Sequence, residues 1–101
     1  MTDTTVSRHA EERTKSRLGI SKKIAAKNAQ KAWENGLTHA EAKGGLRRYL
    51  DYLYLSHRVA TNIRVYHHHV YLFKGTKLVT VFQLPQKFEK LADKLQKQKE
   101  E

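Results

Sequence analysis

The sequence predicts an α+β fold: three N-terminal helices, a three-stranded antiparallel β-meander and a C-terminal helix. Two periodicities carry that prediction. Up to Ser56 the apolar and small residues recur three and four positions apart, the repeat of a helix face. From Asn62 to Leu84 they alternate, the repeat of half-buried strands. With 101 residues the chain has room for a single domain, 1–101, near the size at which one core begins to suffice.

After a short start, residues 1–6, which is expected to fray, Ser7 caps a helix from about Arg8 to Arg17. This helix is almost wholly polar, so it either lies on the surface or turns a basic face to a ligand. Gly19 suits the left-handed position that ends it. Ile20 and Ser21 open a second helix, Lys22 to about Asn35, in which Ile24, Ala25, Ala29 and Ala32 recur beside Trp33 and Gly36 supplies the stop. Thr38 and Glu41 form a capping box, which starts a third helix running to about Ser56. Its core stripe is Leu46, Tyr49, Leu50 and Leu53, and Gly44 with Gly45 weakens its early turns or permits a close backbone approach. Residues His57 to Thr61 connect it to the sheet.

The three strands carry Ile63 and Val65, then Val70 and Leu72, then Leu78, Thr80, Phe82 and Leu84. Turns are expected at His67 with His68 and at Gly75 with Thr76, loops short enough to force antiparallel pairing. Pro85 ends the third strand because it has no N–H for a ladder. Phe88, Leu91 and Leu95 then mark one side of a docking helix whose end, 97–101, dissolves into Lys and Glu and is expected to fray.

Lys and Arg number 20 against 10 acidic residues, for a net charge of +10. So basic a small body favours polyanionic partners through long-range attraction and counterion release, nucleic acid first among them. The absence of cysteine excludes disulfides, thiolate metal sites and thiol catalysis. No apolar run approaches the roughly 18 residues of a membrane span, and Met1 to Val6 lacks the features of a secretory signal, so a cytoplasmic location without membrane contact is expected. No small-molecule cofactor is expected either.

Cleaving RNA without a metal requires a group to deprotonate the ribose 2′-hydroxyl, an acid for the leaving oxygen and cations for the phosphorane. His9, Arg13 and Arg17 recur at i, i+4 and i+8, which aligns an imidazole with two guanidiniums about 6 Å apart per step. The bland alternative is a solvated helix whose cations pair with Glu11 and Glu12. His67, His68 and His69 could at most offer two ligands to one face, so a turn is preferred and no metal site is expected. Arg64 and Tyr66 share parity on the sheet face away from the expected helices, where bases could stack. Lys22, Lys23 and Lys27 line the flank of the second helix, and Arg47, Arg48 and Arg58 lie on or beside the third.

The segments His9-Ala10-Glu11-Glu12-Arg13, Arg17-Leu18-Gly19-Ile20-Ser21 and Leu78-Val79-Thr80-Val81 resemble small bacterial and phage proteins related to RelE-like, barnase-like and colicin D-like ribonuclease toxins. The resemblance implies helices packed on an antiparallel sheet and an RNA-cleaving site of His, Arg and a strand hydroxyl, matched here by His9, Arg13 and Thr80. The leading expectation is a nucleic-acid-binding protein of phage or mobile-element type, directed to RNA rather than DNA. Endoribonuclease activity without a metal is left open, with Arg17 and Arg64 also holding phosphate. Two alternatives stand beside it. One is a phage-borne interaction protein that inhibits a host protein or ribonucleoprotein complex through Arg47, Arg48 and Arg58. The other is a DNA-binding regulator using the helix pair around Gly19, with Lys22, Lys23 and Lys27 on a recognition helix.

Overall fold

A computed structural model describes residues 4–57 and 60–100. It is an α+β fold of four helices and a five-stranded mixed sheet. The elements are β1 (Thr5–Val6), α1 (Arg8–Leu18), α2 (Lys22–Asn35), β2 (Leu37–Thr38), α3 (Gly44–Ser56), β3 (Asn62–Tyr66), β4 (His69–Lys74), β5 (Lys77–Gln83) and α4 (Glu89–Glu100). Strands β3, β4 and β5 pair as an antiparallel meander. The expected three-stranded sheet is nonetheless too small: β2 adds antiparallel to β3 and β1 adds parallel to β5, giving the order β1-β5-β4-β3-β2. Nor do three helices simply precede the strands, because β1 comes before α1 and β2 lies between α2 and α3. Two-residue strands are below the reach of an alternation pattern, which needs four or more residues to register.

Local chemistry sets most boundaries as the sequence predicts. Ser7 and Ser21 cap α1 and α2 by accepting the N–H groups of Ala10 and Ile24, and Gly19 closes α1 at φ 66°. His67 and His68 form the two-residue hairpin turn at φ 47° and 64°. The His68 carbonyl accepts the Leu84 N–H, and its ring lies 2.8 Å from the Asp93 carboxylate of α4. The capping box at Thr38 and Glu41 forms, but it caps only a 3₁₀ turn, His39–Glu41. The third helix therefore starts later than predicted, at Gly44, with Gly44 itself at φ 59°. A left-handed backbone there breaks the chain direction between turn and helix, while a Cβ on Gly45 would stand 3.2 Å from the Phe88 ring.

Helices cover both faces of the sheet. On one side Leu46, Leu50 and Leu53 of α3 and Ala92 and Leu95 of α4 pack on Ile63, Val65, Val70 and Leu72. On the other, Ala10 of α1 and Ala29 and Ala32 of α2 pack on Tyr71, Phe73, Leu78 and Val81. The small residues of α2 let its backbone approach closely, and Gly36 extends that contact: a Cβ there would lie 2.5 Å from the Ala32 carbonyl oxygen and 3.1 Å from that of Val65. Neither backbone can give way cheaply, so Gly36→Ala should lower stability by about 1–3 kcal/mol in urea denaturation. At the far end, α4 runs through Glu100, and Lys99 Nζ reaches the Gly36 carbonyl and the Glu41 carboxylate at 2.7 and 2.8 Å.

In β5 a bulge interrupts the alternation. Leu72 pairs with Thr80 but Phe73 pairs with Leu78, which leaves Val79 as an extra residue. Leu78 therefore faces α1 and α2, whereas Thr80 and Phe82 face the α3 side. The sequence placed Leu78, Thr80, Phe82 and Leu84 on one face. The extra residue divides that stripe.

Burial holds the His69 imidazole below its ordinary value of 6.5, with His67 and His68 adding repulsion against a backbone hydrogen bond that pulls upward. The folded state thus prefers the neutral ring. Its contribution is complete above about pH 6.5 and is lost as the pH falls through the lower folded value. His69→Asn should accordingly flatten the upper part of the acid limb in a plot of Tm against pH.

Candidate active site

The site begins with how α1 meets the sheet. Ala10 and Thr14, four residues apart, form its buried stripe, and the Thr14 hydroxyl donates to the Ala10 carbonyl, so the buried oxygen is satisfied within the helix. His9 and Arg13 each stand one position earlier, about 100° round the helix. That rotation turns them from the core toward the α3 side of β5. Strand β1 pairs with only Lys77 and Leu78, and α1 packs against β5 as well.

There His9 and Arg13 line a cavity of about 320 Å³ together with Ser56 and His57 at the end of α3, Ala60, Leu72 of β4, and Val79, Thr80 and Phe82 of β5. This volume lies at the small end of ligand clefts, which run to roughly 300–1,000 Å³. Its walls offer two imidazoles, one guanidinium and two hydroxyls, and no carboxylate among the described residues. Such a lining favours an anion. A second depression, lined by His9, Glu12, Arg13 and Ser16, shares two of these residues and continues along the outer side of α1.

Thr80 is the unusual member. It is 8% exposed, and its hydroxyl is buried without a hydrogen-bond partner. A buried orphan of this kind costs about 1–3 kcal/mol, so its retention in a cavity wall calls for an explanation. The Val79 bulge stands next to it, and bulges are common beside sites.

The residues predicted from sequence divide into two groups. His9, Arg13 and Thr80 converge on one cavity. The basic residues expected to hold nucleic acid do not join them. Lys22, Lys23 and Lys27 are exposed on α2, Lys22 lying 3.4 Å from Glu11. Arg47 and Arg48 are exposed on α3, with Arg47 3.6 Å from Asp51. The side chain of Arg17 and the whole of Arg58 lie outside the described residues.

Arg64 and Tyr66 require a correction. Their sheet face is not open, because α2 covers it. The Arg64 guanidinium sits 4.5 Å from the centre of the Trp33 ring, and burial pulls its pKa downward despite the favourable influence of Glu41. Tyr66 packs on the core beneath α1 and α2 and against the His67 ring. A three-stranded sheet with one bare face was the premise of the stacking platform, and helices on both faces remove it.

Ser56, His57 and Phe82 were missed as lining residues. His57 caps the end of α3, donating its N–H to the Leu53 carbonyl, and its ring lies 5.2 Å from that of Phe82. Nothing in the sequence marks it beyond its residue type, since it lies in a connection whose path depends on packing.

Fold and cavity together define a small basic α+β domain with helices on both sheet faces and, beside β5, a cavity lined by His9, Arg13 and His57. No protein-family model, no curated protein and no solved structure matches the chain.

Proposed function

We propose that this protein binds single-stranded RNA across α1 and the adjoining β5 cavity and cleaves it without a metal ion. The observation that carries this reading is the convergence of His9, Arg13 and the unpartnered Thr80 hydroxyl on one cavity. A phosphodiester in it would receive a guanidinium from Arg13 and, once a small shift uncovers the buried Thr80 hydroxyl, a hydrogen bond from that group. His9 would exchange the proton of the attacking or leaving oxygen. The depression along α1 gives the flanking strand a path past His9, Arg13 and the Ser16 hydroxyl, with Glu12 the one acidic group on it, and the net charge of +10 draws a polyanion to the protein.

Incubating the protein with labelled single-stranded RNA and duplex DNA in EDTA, at about 50 and 200 mM salt, tests binding and cleavage together. Cleavage of RNA alone is expected. Binding should fall linearly on a log–log salt plot, and Arg13→Gln should reduce that slope by about one. Intact RNA at all protein concentrations would end the cleavage reading and leave a binding protein.

A second reading draws on α3. Tyr52 and Leu55 are 65% and 67% exposed, with Tyr54 partly exposed and Arg48 on the same helix. Aromatic and Arg side chains together are the usual anchors of protein interfaces. This surface suits an interaction protein that blocks a nucleic-acid-handling complex, and Tyr52→Ala would then abolish capture of the complex without touching RNA binding.

A further inference from the structure

We infer that His57 is the second proton-transfer residue of the site, acting as the general acid opposite His9 as the base. The inference rests on the cleavage reading above. Transfer of a phosphoryl group from O5′ to O2′ moves two protons, one off the 2′-hydroxyl and one onto the departing 5′-oxygen. Among the described residues lining the cavity, His9 and His57 carry the imidazoles, the side-chain type best suited to exchanging protons. Arg13 offers a guanidinium, Ser56 and Thr80 offer hydroxyls, and the remaining described walls are apolar. Glu12, on the outer depression of α1, does not line the cavity.

The two rings come from different elements. His9 is in the first turn of α1, and His57 is the C-cap of α3, backed by Phe82. The partial positive charge at the start of a helix suits the role that begins neutral, and the partial negative charge at a helix end suits the role that begins cationic. In the reaction His9 takes the 2′-hydroxyl proton as the O2′–P bond forms. The P–O5′ bond breaks, and the His57 imidazolium gives its proton to O5′. The products are a 2′,3′-cyclic phosphate and a 5′-hydroxyl. Solvent returns both rings to their starting states.

The test uses the full chain and a DNA oligonucleotide carrying one ribonucleotide at a position where the protein cuts RNA. It is prepared with an ordinary 5′-oxygen and with sulfur in that bridging position. A thiolate leaves without a proton, so it bypasses the acid. His57→Phe keeps a ring on Phe82, and His57→Gln serves as a second variant, each first shown to melt like the parent. Both should cut the oxygen substrate about 10²–10⁴-fold more slowly and the sulfur substrate at the parent's rate, while His9→Ala stays slow on both.

If the His57 variants cut the oxygen substrate at full rate, His57 is not the acid and the cleavage reading stands. Equal slowing on both substrates would make it a positioning or binding residue and also overturn the inference. If the parent protein cuts no RNA at all, the cleavage reading and this assignment fall together.

Discussion

Replacing His9 by alanine should lower RNA cleavage by about 10²–10⁴-fold while leaving RNA affinity close to that of the parent protein. The side chain is exposed on α1, so its loss removes little packing, and the buried stripe of Ala10 and Thr14 that docks the helix is untouched. On the proposed reading affinity would come from the cations, above all Arg13 in the cavity, whereas the imidazole would be needed when a proton moves. The separation of rate from affinity is the diagnostic outcome. Binding measured by fluorescence anisotropy and single-turnover cleavage would resolve it. Equal losses in both would make His9 a phosphate ligand instead.

Thr80→Val should act in opposite directions on stability and activity. Valine has nearly the same shape, and it replaces a buried hydroxyl that has no partner by a methyl group suited to its surroundings. Stability in urea should rise by about 1–3 kcal/mol, the cost of leaving such a group unpaired. Cleavage should fall by about 10²–10³, as when one donor to a developing oxyanion is removed. Such opposite changes would be an instance of the usual conflict between stability and function. A stabilised variant with undiminished cleavage would reduce Thr80 to a packing residue.

Much of the local structure is legible in the sequence because it rests on short-range chemistry. Ser7, Ser21 and Gly19 bound helices by hydrogen bonds to residues a few positions away, and His67 with His68 turns a hairpin whose flanking strands already alternate. The capping box at Thr38 is also local, but a cap satisfies only the first N–H groups and cannot compel a helix to follow. The left-handed backbone at Gly44 then separates that turn from α3. His9 and Arg13 could be paired from their spacing on one helix, and Thr80 joined them only through the resemblance to ribonuclease toxins.

By itself, then, the sequence determined the α+β class, the central meander, most helix boundaries, the net charge of +10, and the alignment of His9 with Arg13. Tertiary structure alone decided the rest. Strands β1 and β2 exist because their two residues find an edge to pair with. Arg64 and Tyr66 are covered because α1 and α2 occupy the face opposite α3 and α4. His57 enters the site because the end of α3 and Thr80 line the same cavity, and Leu78 leaves the face of Thr80 because one extra residue at Val79 reverses the parity of β5. Periodicity reports which residues share a face of one element. Which faces meet is settled by packing between elements distant in the chain, and a single bulge is enough to move a side chain from one sheet face to the other.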